Sequence, residues 1–200
     1  MILTLKQTKK EKYRADFMIY RGQKAVGAVT VQVQTEEKAL RFSGVFLERG
    51  FLGEGTSAEK EDFRFRLGAS RSGTVREVRE KAGLLRHSFL RLDVDGLLYE
   101  MYPIGFGREG TRNPVYHCGR QVAQIDTPPL LSGSMHSYTL FAQEENSAVI
   151  ALLCSLYCYA SRCFKPGSEA HFSKFRSGIP LPDPFYRQKY DPEFLKYIEK

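Results

Sequence analysis

The chain has 200 residues, which predicts one domain, and its 42% hydrophobic and 26% charged residues exclude a disordered chain. Its glycine and proline contents are close to average, which excludes collagen-like and low-complexity classes. Thirty basic residues against 23 acidic ones give a formal charge of +7, which favours acidic partners such as lipid headgroups or nucleic acid. No block of five or more like charges occurs, so the excess forms no basic tail.

The start of the chain and the cysteines bear on the cellular compartment. A secretory signal has its positive charges before its apolar stretch, whereas here the lysines begin at Lys6, after residues 1–5. We therefore expect a cytoplasmic protein, peripheral to a membrane if its basic surface binds lipid. The thiols are expected to be reduced in that compartment. The cysteines are Cys118, Cys154, Cys158 and Cys163.

The first 140 or so residues are predicted to be consecutive short strands. Apolar and polar residues alternate at 13–20, and the turn at 21–23 leads into a second alternating run. Asp95-Gly96 and Gly119-Arg120 are further hairpin turns between apolar runs. No helical period interrupts the series, so the pattern predicts a meandering antiparallel sheet. Further strand candidates are 40–47, 63–67, 75–80, 84–92, 97–104, 115–118, 121–125 and 137–142.

A hydrophobic helix is predicted at about 147–163, where residues 148–160 are apolar on almost every side. Asn146 is the predicted N-cap, and Pro166-Gly167 ends the run. A helix that is apolar all round must be surrounded, and this one is too short to span a membrane. We therefore predict a mainly β protein, an antiparallel β-barrel wrapped around one central helix, over residues 1–163.

The remaining segment, 164–200, is predicted to be an extended tail. It holds five of the nine prolines, which resist both helix and sheet, and many aromatic residues, which favour packing against the barrel. Asp191-Pro192-Glu193 has the order of a cap, a first-position proline and a first-turn acid, which predicts a short terminal helix.

The hairpin at 115–125, the strand at 137–141 and the apolar helix resemble the C-terminal portion of the tubby-like superfamily. This superfamily includes the LURP-one-related proteins and the phospholipid scramblases, and the resemblance covers residues 85–163. It implies an antiparallel barrel, commonly twelve-stranded, around a central helix. Tubby domains bind phosphoinositide headgroups through lysine and arginine, and scramblases are membrane-bound and linked to calcium. No binding motif of the family aligns with this chain, so no site residue is carried over.

The tail departs from the family, in which the helix lies at or near the C-terminus. Here 37 residues follow Cys163. They must leave the barrel mouth and cross its outside, where they would cover a ligand groove or form a dimer interface.

Arginines on neighbouring predicted strands are the candidate site for an anion or lipid headgroup. Arg64 and Arg66 share one face of a strand, so their guanidiniums would point outward together and clamp an anionic group. The alternative is a solvated face whose arginines pair with Glu77 and Glu80. The candidate set is Arg64, Arg66, Arg76, Arg79 and Arg86.

Other patterns have better structural explanations. The G-x-G-x-x-G at 105–110 precedes a turn rather than a helix, so a loop is favoured over a nucleotide site. Asp93–Gly96 resembles the start of a calcium loop, but Ile104 stands where the twelfth-position glutamate is needed. Residues 63–66 alternate Phe and Arg, but the Phe pair should face inward, which disfavours nucleic acid.

The cysteines offer two further chemistries. Cys154 and Cys158 lie four residues apart on the helix, a spacing that suits metal ligands, but an apolar helix favours core packing. Cys118 is a candidate nucleophile with His87 or His136 as its base. His117 is excluded as that base, because it and Cys118 are neighbours on a predicted strand and neighbouring strand residues point to opposite faces.

The sequence thus favours a non-enzymatic binding module without cofactor or metal. Its expected partner is an anionic membrane surface or a protein. The alternatives are an oligomeric scaffold that uses its tail as an interface and an enzyme that uses Cys118.

Overall fold

The computed structural model describes residues 1–36, 39–56, 63–82, 85–129, 135–162 and 185–198. Predictions that concern Cys163 and residues 164–184 lie outside these ranges. The strands are β1 (Ile2–Lys10), β2 (Arg14–Arg21), β3 (Lys24–Gln34), β4 (Ala39–Phe46), β5 (Arg49–Thr56), β6 (Phe63–Leu67), β7 (Arg71–Ala82), β8 (Leu85–Val94), β9 (Leu97–Met101), β10 (Ile104–Gly105), β11 (Thr111–His117), β12 (Arg120–Thr127) and β13 (Ser137–Ala142). The helices are α1 (Glu145–Ser161) and α2 (Phe194–Ile198), with single 3₁₀ turns at Gly107–Glu109 and Arg187–Lys189.

The strands form a closed antiparallel barrel. Each of β1 to β8 pairs with the next strand along the chain, and so do β11 and β12. The ring closes where β13 pairs with β1 and β9 pairs with β11, so twelve strands form the barrel. The two-residue β10 is a side extension of β11. The structure therefore confirms the predicted mainly β fold.

The helix α1 lies in the core enclosed by these strands. Its Tyr159 ring meets Phe17 of β2 edge-on at 4.9 Å, and its Tyr157 ring meets Phe63 of β6 at 5.7 Å. These two strands are four positions apart in the ring, so the helix contacts widely separated parts of the barrel wall. This enclosure explains why nearly every side of the helix is apolar.

The helix starts and ends two residues earlier than predicted, at Glu145 and Ser161. Its N-cap is Glu144 rather than Asn146. The Asn146 side chain instead accepts a hydrogen bond from Arg71 Nη1 at 3.1 Å, so it ties the helix start to β7.

The described part of the tail packs on the outside of the barrel. Tyr186 is buried against Phe89 and Tyr102, whose rings lie on the outer side of β8 and just beyond β9. The Tyr116 hydroxyl donates to the Lys189 carbonyl at 2.8 Å. Farther along, the Asp191 carboxylate accepts from the Glu193 amide at 2.8 Å, and α2 follows. Residues 185–198 therefore contact the barrel of their own chain.

Candidate anion-binding site

Arg64 and Arg66 project together from the outer side of β6. The intervening and preceding residues, Phe65 and Phe63, are 3% and 5% exposed because they pack into the barrel core. Successive side chains on a strand alternate between faces, so burial of the two phenylalanines places both arginines outside. Both arginines are exposed.

The two guanidiniums border a groove of about 440 Å³ on the outer surface of β5, β6 and β7. Thr74 of β7 stands opposite Arg64, and Ser72 stands opposite Arg66. Guanidinium and hydroxyl groups are hydrogen-bond donors, so this combination suits an anion rich in acceptor oxygens. The residues that line the groove, called here the arginine groove, are Leu52, Glu54, Arg64, Phe65, Arg66, Ser72, Gly73 and Thr74.

The charge balance of the arginine groove is positive. Its carboxylate, Glu54, lies opposite Arg64 in the sheet but is bound by Arg41 of β4, with Nη2 to Oε1 at 2.9 Å. Neither Arg64 nor Arg66 forms an ion pair with any residue that the structure describes. Among the residues that the structure describes, no carboxylate therefore occupies the donors of either guanidinium.

The structure places two of the other three predicted arginines on opposite faces of β7. Arg76 lies two residues beyond Thr74 on β7, on the same outer face as the arginine groove. Arg79 lies on the opposite face, where Glu77 pairs with it at 3.4 Å. Arg86 pairs with Lys81 in the β7–β8 register, and its side chain lies outside the described residues. The five arginines thus form no single cluster, and Arg64 and Arg66 are the pair that a groove brings together.

The prediction that His117 and Cys118 point to opposite faces is wrong. Cys118 is not a strand residue, because it begins the turn between β11 and β12 and has a φ of +48°. This left-handed conformation ends the strand alternation and brings Cys118 Sγ to 3.6 Å from His117 Nε2. The turn is Cys118-Gly119, one residue earlier than the predicted Gly119-Arg120.

The two histidines that were predicted as the base for Cys118, His87 and His136, pack against other aromatic rings. His87 stacks on Phe185 of the tail with ring centroids 4.0 Å apart. His136 is buried beside Tyr159 of α1 and Tyr138 of β13. Its pKa is lowered to about 3, mainly because burial disfavours the charged imidazolium.

The two helix cysteines belong to the barrel interior. Cys154 is buried, and Cys158 packs against the same core. Burial raises the pKa of the Cys158 thiol to about 11, and that of Cys154 well above its ordinary value. A high pKa disfavours the thiolate that a metal would require. The part of the chain that the structure describes contains no group of three or more metal-ligating side chains.

The remaining motifs have structural roles. Residues 105–110 form the end of β10, a 3₁₀ turn and the left-handed Gly110, and a strand rather than a helix follows. Asp95 and Gly96 both have positive φ, as a type I′ hairpin turn requires. In the described ranges, no helix is long and apolar enough to cross a membrane.

Sequence reasoning missed the contribution of the strands on either side of Arg64 and Arg66. Leu52 lies on β5, which the residue pattern does not predict, and Ser72 lies outside the predicted strand at 75–80. The polar alternation of Ser72, Thr74 and Arg76 is the signal that could have extended that strand.

Comparison with known proteins adds no family to this description. No family, no curated protein and no solved structure matches the chain. The tubby-like resemblance therefore stays a prediction, and the function has to be argued from the site itself.

Proposed function

We propose that this protein is a non-enzymatic binding module of the tubby-like kind whose arginine groove binds the anionic headgroup of a membrane lipid. One observation carries the proposal. Two neighbouring guanidiniums, Arg64 and Arg66, border an outward-facing groove and have no carboxylate partner among the described residues.

The choice of an anionic ligand rests on the pairing of the local charges. Exposed arginines of ordinary surfaces are solvated or lie beside acidic residues. Here the nearest cross-strand carboxylate, Glu54, is held by Arg41, so it leaves Arg64 unneutralised. Each guanidinium presents a planar fork of donors that matches a phosphate, and Ser72 and Thr74 add hydroxyls on the next strand.

The choice of a lipid rests on the position of the groove. It lies on the outer surface of the barrel rather than in a closed cavity, so a flat membrane can approach it. Arg76 extends the positive face along β7, and the whole chain has a formal charge of +7. Each arginine close to an anionic membrane contributes about 1 kcal/mol to binding, which makes a small cluster effective.

Co-sedimentation with vesicles tests the proposal. The protein should bind vesicles of phosphatidylcholine with added phosphatidylserine or phosphoinositide, and should not bind phosphatidylcholine alone. Binding should weaken from low to physiological salt because ions screen the attraction. Arg64→Ala with Arg66→Ala should lower the affinity by roughly 30-fold, the equivalent of about 2 kcal/mol for two arginines.

A matched control removes the same charge elsewhere. Arg21→Ala with Arg120→Ala changes two exposed arginines on β2 and β12, away from the groove, and should lower affinity by less than about threefold. Equal losses in the two double variants would show that only net charge matters and would refute the groove. Inorganic phosphate or a soluble inositol phosphate that binds without vesicles would assign the groove to a free anion instead.

A charge-conserving variant separates charge from geometry. Arg64→Lys with Arg66→Lys keeps both positive charges but loses the planar fork of donors. We expect this variant to bind more weakly than the wild type and more tightly than the double alanine variant. Wild-type affinity in the lysine variant would contradict a site built on bidentate recognition.

A further inference from the structure

Residues 185–198, called here the strap, are held on the barrel by side-chain contacts. Among the residues that the structure describes, no hydrogen bond between backbone groups joins the strap to a barrel strand. The regular structure of the strap is its own 3₁₀ turn and α2. Strands of a sheet are fixed to their neighbours by rows of backbone hydrogen bonds. The strap is therefore a separate unit that can leave the barrel without breaking a strand pair.

The surface beneath the strap is apolar and lies outside the barrel core. Phe89, Tyr102 and Ile104 are buried there in a cluster of their own. Tyr186 of the strap completes this cluster, with its ring centroid 5.0 Å from that of Tyr102 and 6.5 Å from that of Phe89. Removal of the strap would expose these rings to water, which is unfavourable. The folded chain is therefore most stable when this surface has an occupant.

Polar and cationic contacts match the surface to the first half of the strap. The Tyr186 hydroxyl donates to the Glu80 carboxylate at 3.1 Å. Lys189 Nζ lies over the Tyr102 ring, 5.0 Å from its centroid, where the face of the ring attracts a cation. The surface thus selects a tyrosine and a lysine three residues apart.

The match continues at the next residue of the strap. The Tyr190 ring meets Phe106 edge-on at 5.1 Å, and its hydroxyl accepts from Arg112 Nη1 at 3.0 Å. Arg187 Cζ lies 3.8 Å from the centroid of the same Phe106 ring. The residues that receive the strap, called here the strap site, are Glu80, Phe89, Tyr102, Phe106, Arg112 and Tyr116.

The chain between α1 and the strap is long enough to carry the strap to another copy. Residues 163–184 separate Arg162 from Phe185, and a chain of this length spans up to about 75 Å. A compact chain of 200 residues has a radius of gyration of only about 16 Å. The covalent link therefore does not restrict the strap to its own barrel.

We propose that the strap site is an interface between copies of this chain, in which the strap of one copy docks on the strap site of another. The two straps have the same sequence, so the exchange keeps every contact and changes only which copy supplies the segment. The link holds each strap near its own site at an effective concentration in the millimolar range. The closed monomer therefore predominates at micromolar protein. This interface is independent of the arginine groove, which lies on β5 to β7.

Two full-chain variants that cannot close within one copy test the proposal. Tyr186→Ala weakens the strap and keeps the strap site, whereas Tyr102→Ala weakens the site and keeps the strap. Each variant alone should be a monomer of 22.8 kDa by light scattering. An equimolar mixture at about 200 µM should contain a heterodimer of twice that mass, because the intact strap of one variant fits the intact site of the other.

A matched control changes a different tyrosine of the strap. Tyr197 is 70% exposed, so Tyr197→Ala should leave the strap closed on its own barrel. The strap site of this variant is then already occupied. Its mixture with Tyr102→Ala should therefore remain monomeric under the same conditions.

A labelled peptide of residues 185–198 measures docking without the second variant. It should bind the full-length Tyr186→Ala chain, and it should bind the wild type at least about tenfold more weakly, because the wild-type strap competes from within the same chain. A peptide that carries Tyr186→Ala should not bind. Circular dichroism checks that each variant keeps the β content of the wild type.

Three results would overturn the proposal. The first is a mixture of folded Tyr186→Ala and Tyr102→Ala that stays monomeric or, if Tyr102→Ala does not fold, a peptide that fails to bind Tyr186→Ala. The second is a heterodimer that forms equally well with Tyr197→Ala. The third is a dimer of Tyr186→Ala alone, which would place the interface elsewhere on the barrel.

Discussion

Two regions of the outer surface of the barrel differ in whether their arginines are hydrogen-bonded to other residues of the chain. On the covered face, over β8 to β11, residues 185–190 pack on the wall, and Arg112 Nη1 donates to the Tyr190 hydroxyl at 3.0 Å. Arg112 Nη2 also donates to Glu109 at 2.9 Å. On the open face, over β5 to β7, Arg64 and Arg66 have no ion pair among the described residues.

This difference separates structural from functional positive charge. The donors of Arg112 are used within the chain, so its loss should cost stability. The donors of Arg64 and Arg66 contact no described carboxylate, so their loss should cost binding and leave stability nearly unchanged. The two faces can therefore be told apart by measuring both quantities on the same variants.

The largest expected effect is on the covered face. Tyr186 is 3% exposed, and its hydroxyl donates to Glu80 at 3.1 Å. Tyr186→Ala should lower the free energy of unfolding by about 3 kcal/mol, as for other large buried side chains. Urea denaturation measures this, with Arg64→Ala/Arg66→Ala expected to stay within about 0.5 kcal/mol of wild type. Equal stabilities in the two variants would show that the tail does not stabilise the barrel.

A smaller effect is expected when one arginine from each face is compared. Arg112→Ala removes the bonds to Tyr190 and Glu109 and the stacking of Arg112 over Phe106 at 4.5 Å. We expect it to lower the unfolding free energy by about 1–2 kcal/mol. Arg66→Ala should change it by less than about 0.5 kcal/mol in the same urea titration. A larger loss for Arg66→Ala would mean that the open face is structural as well.

The smallest expected effect is on the loss of stability at acid pH. Burial raises the pKa of Glu100. Hydrogen bonds from the Tyr102 hydroxyl and the Arg91 guanidinium, at 2.6 and 2.9 Å, together with the positive charge of Arg91, lower this pKa by more, so the net shift is downward. A carboxyl whose folded pKa lies below its unfolded value of 4.5 stabilises the fold above that pH. The contribution is lost as the pH falls through the folded pKa. Thermal unfolding of Glu100→Gln between pH 6 and 3 should therefore show a flatter pH dependence than wild type, and an identical slope would contradict the assignment.

Much of the fold follows from local patterns in the sequence. The alternation of residues predicts that Phe63 and Phe65 face inward. The helix is apolar on nearly every side, which predicts that the strands surround it. Strand β5 is not predicted, and it contains the three glycines Gly50, Gly53 and Gly55. One of them, Gly53, is required by packing: a side chain there would begin 2.2 Å from the Phe42 ring. That requirement arises from a neighbouring strand and is absent from the local pattern.

The site is predictable only in part for a similar reason. Alternation correctly gives Arg64 and Arg66 a common face. Which carboxylates lie beside them depends on the strand register. The ion pair between Glu54 and Arg41 joins two neighbouring strands, so the local sequence pattern does not show it. The contact of Cys118 with His117 depends on a one-residue shift of a turn, which reverses the expected direction of the thiol.

Arginine-specific labelling with phenylglyoxal, read by peptide mass spectrometry with and without anionic vesicles, tests the central claim most directly. In the free protein, Arg64 and Arg66 should react faster than Arg112, whose guanidinium is hydrogen-bonded to Tyr190 and Glu109. Anionic vesicles should protect Arg64 and Arg66 and leave Arg112 unchanged. Protection of Arg112 with continued labelling of Arg64 and Arg66 would place the membrane on the covered face and contradict the account.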